Sequence, residues 1–297
     1  MKKQLEVGDI VGRKSHGSDI LFRITEIVSE FEEAKALLRG LDVRLYADAP
    51  LRDLEKKTFS EISKYRQQYI KKNSACMRRI FERRLEDETR LFLRRGEEGF
   101  KKTMRTEDTT HFEVPGEVLH LDGDKEYLQL CKTTYAQLNI KMNGFEVPEE
   151  KQPELVYEYL QKYTPNILVL TGHDGVLKNI TDFKNVDNYR NSPYFIKAVR
   201  KAREYEPGRD DLIIFAGACQ SHYEALIAAG ANFASSPQRV LIHAFDPVFI
   251  AEKLAYSSIY EALSVEDILN NTITGLDGVG GIETRGCLRL GYPKSPY

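Results

Sequence analysis

NILVLTGHDG (residues 166–175) and LIIFAGACQS (212–221) each carry a run of apolar residues into a turn of small residues, and then into a reactive side chain, His173 in the first and Cys219 in the second. Unbroken apolar runs of this length, bounded by amphipathic segments, mark strands buried on both faces, which is the condition of a parallel sheet covered by helices. In open sheets of that kind the loops beyond the carboxyl ends of the strands converge on one crevice, and both reactive residues stand at such ends.

The same rhythm extends outward on both sides. Upstream, VLHLDGD (118–124), a helical KEYLQLCKTTYAQL (125–138), IKMNGFEV (140–147) and a helical QPELVYEYLQKY (152–163) read β-α-β-α into the first of the two runs. Downstream come helices at SPYFIKAVRKAREYEP (192–207) and SHYEALIAAG (221–230), short strands at NFASSP (232–237) and VLIHAF (240–245), and a helix at VFIAEKLAYSSIYEAL (248–263). The spacing predicts an α/β domain over residues 113–297.

Ahead of it, residues 1–50 contain short alternating runs, LEVGDIVGRKSHGSDILFRITEI (5–27) and ALLRGLDVRLYA (36–47), broken by Gly and Ser; this is the pattern of a small β-barrel-like module. Residues 51–112 have almost no Gly or Pro, and Ile80, Leu85, Leu91 and Phe92 recur at helical spacing, which predicts a charged helical connector. Residues 51–110 hold 17 Lys/Arg against 11 Asp/Glu, with arginine pairs at 78/79, 83/84 and 94/95. A solvated helix face accounts for this charge, and basic pairs on a mobile connector are also cleavage sites for an arginine-directed protease.

Composition excludes several classes. With 41% hydrophobic and 30% charged residues in 297, the chain is ordinary globular material, and its net charge of −2 does not suit a protein that coats nucleic acid. No apolar run approaches membrane-spanning length, and the opening MKKQLEVGDIVGRK lacks a signal-peptide core, so no membrane insertion and a cytoplasmic location are expected. The four cysteines, Cys76, Cys131, Cys219 and Cys287, form no C-x-x-C pair, so neither a zinc site nor a disulfide scaffold is expected, and no metal or cofactor.

Of these thiols only Cys219 has chemistry within reach. It lies between a buried strand and a helix expected to begin near Ser221, where the helix dipole and free N–H groups favour thiolate. An imidazole from the neighbouring strand end, His173, can take its proton, which makes a Cys219/His173 dyad. The backbone N–H of Cys219 with that of Gly175 or Asp174 can converge on a developing oxyanion. His222 could orient the site; His16, His111 and His120 read as surface or strand-end residues. The segment GLDGVGGIE (275–283) is a turn, without the Lys and Ser/Thr of a phosphate loop.

A hydrophobic block ending in His-Gly and a later one ending in small residue-Cys resemble the caspase, legumain and gingipain clan of cysteine peptidases; here the first reads His-Asp-Gly. More closely, VGDIVGRKSHGSDILFRI, GLDVRLYADAPLRDL, LTGHDG and FAGACQSHYEALIAAGANFASSP resemble the YabG family of sporulation-specific proteases over essentially the whole chain. The resemblance implies a caspase-like three-layer α/β domain. It also implies a mother-cell enzyme associated with the forming spore coat, which trims coat and other sporulation proteins, often after basic residues, with Cys219 and His173 reactive. An arginine pocket needs a carboxylate, for which Asp174 and Asp246 are the candidates. Two other readings stand beside this one. The first is a cysteine amidase or glutaminase with a nucleophile elbow at Cys219 and His243 as base; the second is a non-enzymatic coat assembly protein.

Overall fold

The computed structural model describes residues 5–29, 34–99, 112–177, 180–292 and 295, without the side chains of residues 29, 88 and 90–99. Of the expected features, His111 lies outside the described residues, and so do the side chains of the arginine pair at 94/95 and of the apolar positions 91 and 92.

The N-terminal module is an antiparallel sheet of five strands, β1 (Ile10–Arg13), β2 (Leu21–Ser29), β3 (Ala34–Gly40), β4 (Tyr46–Pro50) and β5 (Leu54–Lys56), in the order β4-β3-β2-β1-β5. Alternate residues point inward, so Val11, Phe22, Ile24, Ala36, Leu38, Ala49 and Leu54 form its own core. The helix α1 (Phe59–Gly99) follows, 41 residues long and so on the order of 60 Å. It opens with a capping box: Glu61 N–H donates to Thr58 Oγ1 (3.3 Å) and Thr58 N–H to Glu61 Oε2 (2.8 Å).

The arginines of this helix are not all solvated. Arg83 and Arg84 both donate to the fully buried carboxylate of Glu252, at 2.7 Å each, and Arg84 stacks over Tyr256. Two guanidinium groups on one carboxylate pin the helix to the main domain. Glu252→Ala leaves them facing a partly buried wall, and the expected cost is about 3–5 kcal/mol. Limited trypsin digestion of this variant should then cut at Arg83 or Arg84 well before wild type does; equal rates would mean that α1 is held elsewhere.

After β6 (Phe112–Val114), the main domain runs β7 (Val118–Asp122), α2 (Lys125–Gln137), β8 (Met142–Glu146), α3 (Gln152–Tyr163), β9 (Ile167–Thr171), α4 (Ser192–Tyr205), β10 (Ile213–Ala216), α5 (Tyr223–Ala229), β11 (Phe233–Ser235) and α6 (Asp246–Tyr256). The short elements β12 (Ala262–Leu263), α7 (Val265–Leu269), β13 (Val279–Gly281), β14 (Thr284–Arg285) and β15 (Arg289–Gly291) complete the chain. The central sheet has the order β13-β11-β10-β9-β7-β8, parallel except for β13, which pairs antiparallel with β11.

Alternation within the buried strands makes the three layers. Val118, Val169, Ile213, Phe215 and Phe233 pack on one face with α2, α6 and Ile80 of α1. Leu119, Leu121, Leu168, Leu170, Ile214 and Ala216 pack on the other with α3, α4 and α5. The α/β fold class expected from the sequence is therefore the one observed, and no helix among the described residues is long and apolar enough to cross a membrane.

Two local expectations change. The segment 240–245 is not a strand of the sheet; among the described residues it pairs through an isolated antiparallel bridge between His243 and Val43 of the N-terminal module. The glycine-rich segment is a 3-10 turn at Gly275–Asp277 leading into the edge strand β13, where Gly280 and Gly281 lie flat against Tyr223 and Phe233.

Candidate active site

Strand order places the site. The chain leaves β7 for β8 on one side and then returns to β9 on the other, so the crevice beyond the carboxyl ends of β7 and β9 is a topological switch point. In the parallel pairing of β9 with β10, Leu170 is opposite Ala216. His173 and Cys219 each follow three residues later, so both leave the sheet at the same level from strands about 4.8 Å apart.

His173 is largely buried, and surrounding groups fix its position. Its backbone N–H donates to Glu149 Oε1 (2.6 Å), and its Nδ1 lies 3.5 Å from the same oxygen. The Glu149 carboxylate fills the space beside Gly172 and Gly123, where any side chain would collide with it, so the glycine of LTGH serves close packing. The Asn191 side-chain amide donates to the His173 carbonyl (2.8 Å). The ring lies against Tyr46, centroids 4.2 Å apart. Its Nε2 is 3.4 Å from Asp124 Oδ2 and has no hydrogen-bond partner among the described residues.

Cys219 sits in the turn 217–221, entered by Gly217 in the left-handed region (φ +107°) and left by Gln220, also left-handed (φ +58°). A non-glycine residue held there signals a backbone fixed by its surroundings. Ser221 Oγ accepts from Ala218 N–H (2.9 Å), and Gln220 N–H reaches Ser236 Oγ (3.2 Å). The expected helix start near Ser221 falls instead at Tyr223, capped by His222, whose Nδ1 accepts from Ala225 N–H; His222 thus serves the helix. A seven-residue helix beginning four positions away does not set the thiol's acidity. Burial dominates and pushes the Cys219 thiol up to about 11, against the pull of N–H groups of Ile242 and Arg44. The Ile242 N–H lies 3.4 Å from the sulfur.

Gly175, expected as an oxyanion donor, gives its N–H to Asp174 Oδ1 (2.8 Å). Asp174 also accepts from Asn191 N–H (2.8 Å), Ser192 Oγ (2.5 Å) and Ser221 Oγ (2.8 Å), so it ties together the loops that carry His173 and Cys219. Burial pushes its carboxyl up, while those four donors hold it down. Asp246 starts α6 and accepts from Ile273 N–H (2.7 Å), His243 N–H (3.2 Å) and Thr274 Oγ1. Both carboxylates suggested for an arginine pocket are thus engaged by their own chain.

A third strand end contributes more than sequence reasoning assigned to it. Asp122, the last residue of β7, is fully buried; Arg44 Nη1 donates to both of its oxygens, at 2.7 and 2.5 Å, and Asp124 N–H donates to Oδ1 (2.9 Å). Arg44 is itself fully buried, lies 5.1 Å above the Tyr127 ring and donates through Nη2 to Cys131 Sγ (3.5 Å). His120, expected at a strand end, is instead inside β7, with Nε2 3.4 Å from Asp122 Oδ2 and 2.7 Å from Thr171 Oγ1. His120, Asp122 and Cys131 bring metal-type ligand atoms within 4.8 Å of one another, but the guanidinium already occupies the approach to this carboxylate.

His243, the other candidate base, has its backbone bridged to Val43 and its ring stacked near Tyr69, centroids 5.4 Å apart. Burial together with nearby Lys72 and Arg44 holds its imidazole down to about 3, so it stays neutral. The remaining cysteines are buried: Cys76 takes a hydrogen bond from Arg79, and burial pushes the Cys287 thiol up to about 12. A wider depression of about 680 Å³ between α3 and α4, lined by Tyr157, Lys197 and Arg200, holds none of the reactive residues.

Residues 6–293 match the family described as YabG peptidase U57. The chain is also 41% identical over 291 residues, 98% of its own length and 98% of the relative's, to the sporulation-specific protease YabG of Bacillus subtilis (strain 168). The match spans the β module, the long helix and the α/β domain alike, and on that evidence the chain belongs to the YabG peptidase family.

Proposed function

We propose that this peptidase is a cysteine endopeptidase of sporulation, which cuts spore coat and other sporulation proteins after arginine or another basic residue through Cys219 and His173. The observation that carries the reading is the shared level of the two residues beyond paired positions of β9 and β10. The buried Nε2 of His173, without a hydrogen-bond partner among the described residues, adds to it. Mother-cell cytoplasm and the forming coat are the setting that goes with such substrates.

In this mechanism His173 takes the thiol proton as Cys219 Sγ attacks the scissile carbonyl. The oxyanion is met by the Cys219 N–H, and by the Gly175 N–H once substrate draws it from Asp174. Collapse expels the amine, which takes the proton from His173, and leaves a thioester. Water, deprotonated by the same imidazole, then releases the acid and the free thiol. Glu149, close to both the backbone and Nδ1 of His173, orients the ring.

Self-cleavage in the arginine-rich helix belongs to the same reading, with Arg78, exposed on the helix, a better target than Arg83 or Arg84 on Glu252. The test is to incubate wild type and Cys219→Ala with spore-coat extract and sequence the new termini. Termini following basic residues should appear with wild type alone. The same termini from Cys219→Ala would overturn the assignment of the nucleophile.

A further inference from the structure

Cys219 has no exposed surface, and a segment of the chain's own N-terminal module covers it. Between β3 and β4 the loop 41–45 leaves the module and enters the crevice. Val43 forms the antiparallel bridge with His243, the kind of main-chain pairing by which an extended peptide docks beside a sheet. The Arg44 N–H faces the Cys219 sulfur, and its side chain turns down between Tyr127 and Cys131 to meet Asp122 at both oxygens. Tyr127 secures the loop from below, its hydroxyl lying 2.7 Å from the Gly40 carbonyl and 2.6 Å from that of Val43. Above, Tyr46 lies on the His173 ring and Arg39 binds Asp124 at 2.6 Å.

A buried pairing of guanidinium and carboxylate beside a nucleophile, here Nη1 of Arg44 on both oxygens of Asp122, is the kind of contact by which a pocket holds a substrate arginine. We propose that Asp122 is the residue that selects arginine next to the scissile bond, and that Arg44 of the chain's own β3–β4 loop occupies that pocket in place of a substrate. The inference rests on Cys219 being the nucleophile of a peptidase that cuts after arginine.

Loop geometry explains why the occupant stays whole. Leu45 N–H donates to the Val43 carbonyl (2.8 Å) and closes a tight turn around Arg44, while Gly40 N–H donates to the Leu45 carbonyl (2.8 Å). The Arg44–Leu45 peptide is therefore bent back into the module instead of lying extended across the groove. A substrate must displace the loop, and its own arginine then replaces Arg44 on Asp122, so no buried charge is left unpaired.

The test is direct binding of N-acetyl-arginine amide in the Cys219→Ala background, which removes turnover. Arg44→Ala empties the pocket, and the amide should raise its melting temperature by roughly 5 °C at saturating concentration. Neither the protein with Arg44 in place nor the Arg44→Ala/Asp122→Asn double variant should respond, and the neutral citrulline amide should have no effect on any of them. A folded Arg44→Ala that the arginine amide does not stabilise overturns the proposal, as does equal stabilisation of the double variant.

If Arg44→Ala does not fold, Arg44→Lys keeps the charge pair with a poorer fit. With Cys219 restored, arginine amide should then speed alkylation of that thiol by iodoacetamide at least about fivefold by displacing the lysine; an unchanged rate overturns the proposal. Stabilisation needs no catalysis, so it would stand even if Cys219→Ala still cleaved protein, and that result would sink only the nucleophile assignment.

Discussion

Replacing His173 by alanine is expected to lower cleavage of an arginine-containing protein by on the order of a thousandfold, the usual worth of a positioned general base. The same change at His243 should leave activity within roughly tenfold of wild type. The contrast follows from placement. His173 follows β9 at the level where Cys219 follows β10, with its backbone and Nδ1 held by Glu149 and its Nε2 free of hydrogen-bond partners among the described residues. His243 gives its backbone N–H to Asp246 and Thr274 and accepts from Phe245 N–H at Nδ1 (3.2 Å), and an imidazole held down to about 3 is a weak proton acceptor near neutrality. Initial rates of both variants on one substrate separate the readings. Loss confined to His243→Ala would instead support an amidase-type elbow.

Much of the fold could be read in advance because burial on both faces leaves a plain mark. ILVLT and LIIFA contain no polar residue to satisfy until the strand ends, so the sheet, its covering helices and the two reactive strand ends were all legible. VLHLDGD was legible as a strand in the same way, but the part that His120 and Asp122 play at its end was not. Their side chains are paired with each other, Thr171 and Arg44, and a sequence does not show which distant charge will neutralise a buried one. Asp174 and Asp246 looked available for the opposite reason: each lies within three residues of a candidate histidine, but backbone and hydroxyl donors from loops far along the chain consume them. Arg44 was invisible as a site residue because its meaning depends on the module docking into the crevice, a contact made with residues about 80 to 175 positions away.

Asp174→Ala is expected to cost about 3–5 kcal/mol in urea unfolding and to lower kcat by on the order of a hundredfold, with KM for an arginine peptide little changed. The stability loss comes from four buried or half-buried donors, Gly175 N–H, Asn191 N–H, Ser192 Oγ and Ser221 Oγ, that lose one shared acceptor. The kinetic loss comes from geometry. Ser221 Oγ accepts from Ala218 N–H beside the nucleophile, and Ser192 Oγ accepts from His222 N–H, so the carboxylate fixes the Cys219 turn relative to the His173 loop. A displacement near 1 Å between reacting groups is enough for that factor. If Asp174 read the substrate's arginine instead, the variant would lose its preference for basic residues with KM rising steeply. Asp174→Asn divides charge from shape. It keeps an oxygen for Gly175 and Asn191 and presents an NH2 group to the two serine hydroxyls, which can rotate to accept. It should therefore recover most of the stability and kcat, which a group needed for its negative charge in the pocket would not do.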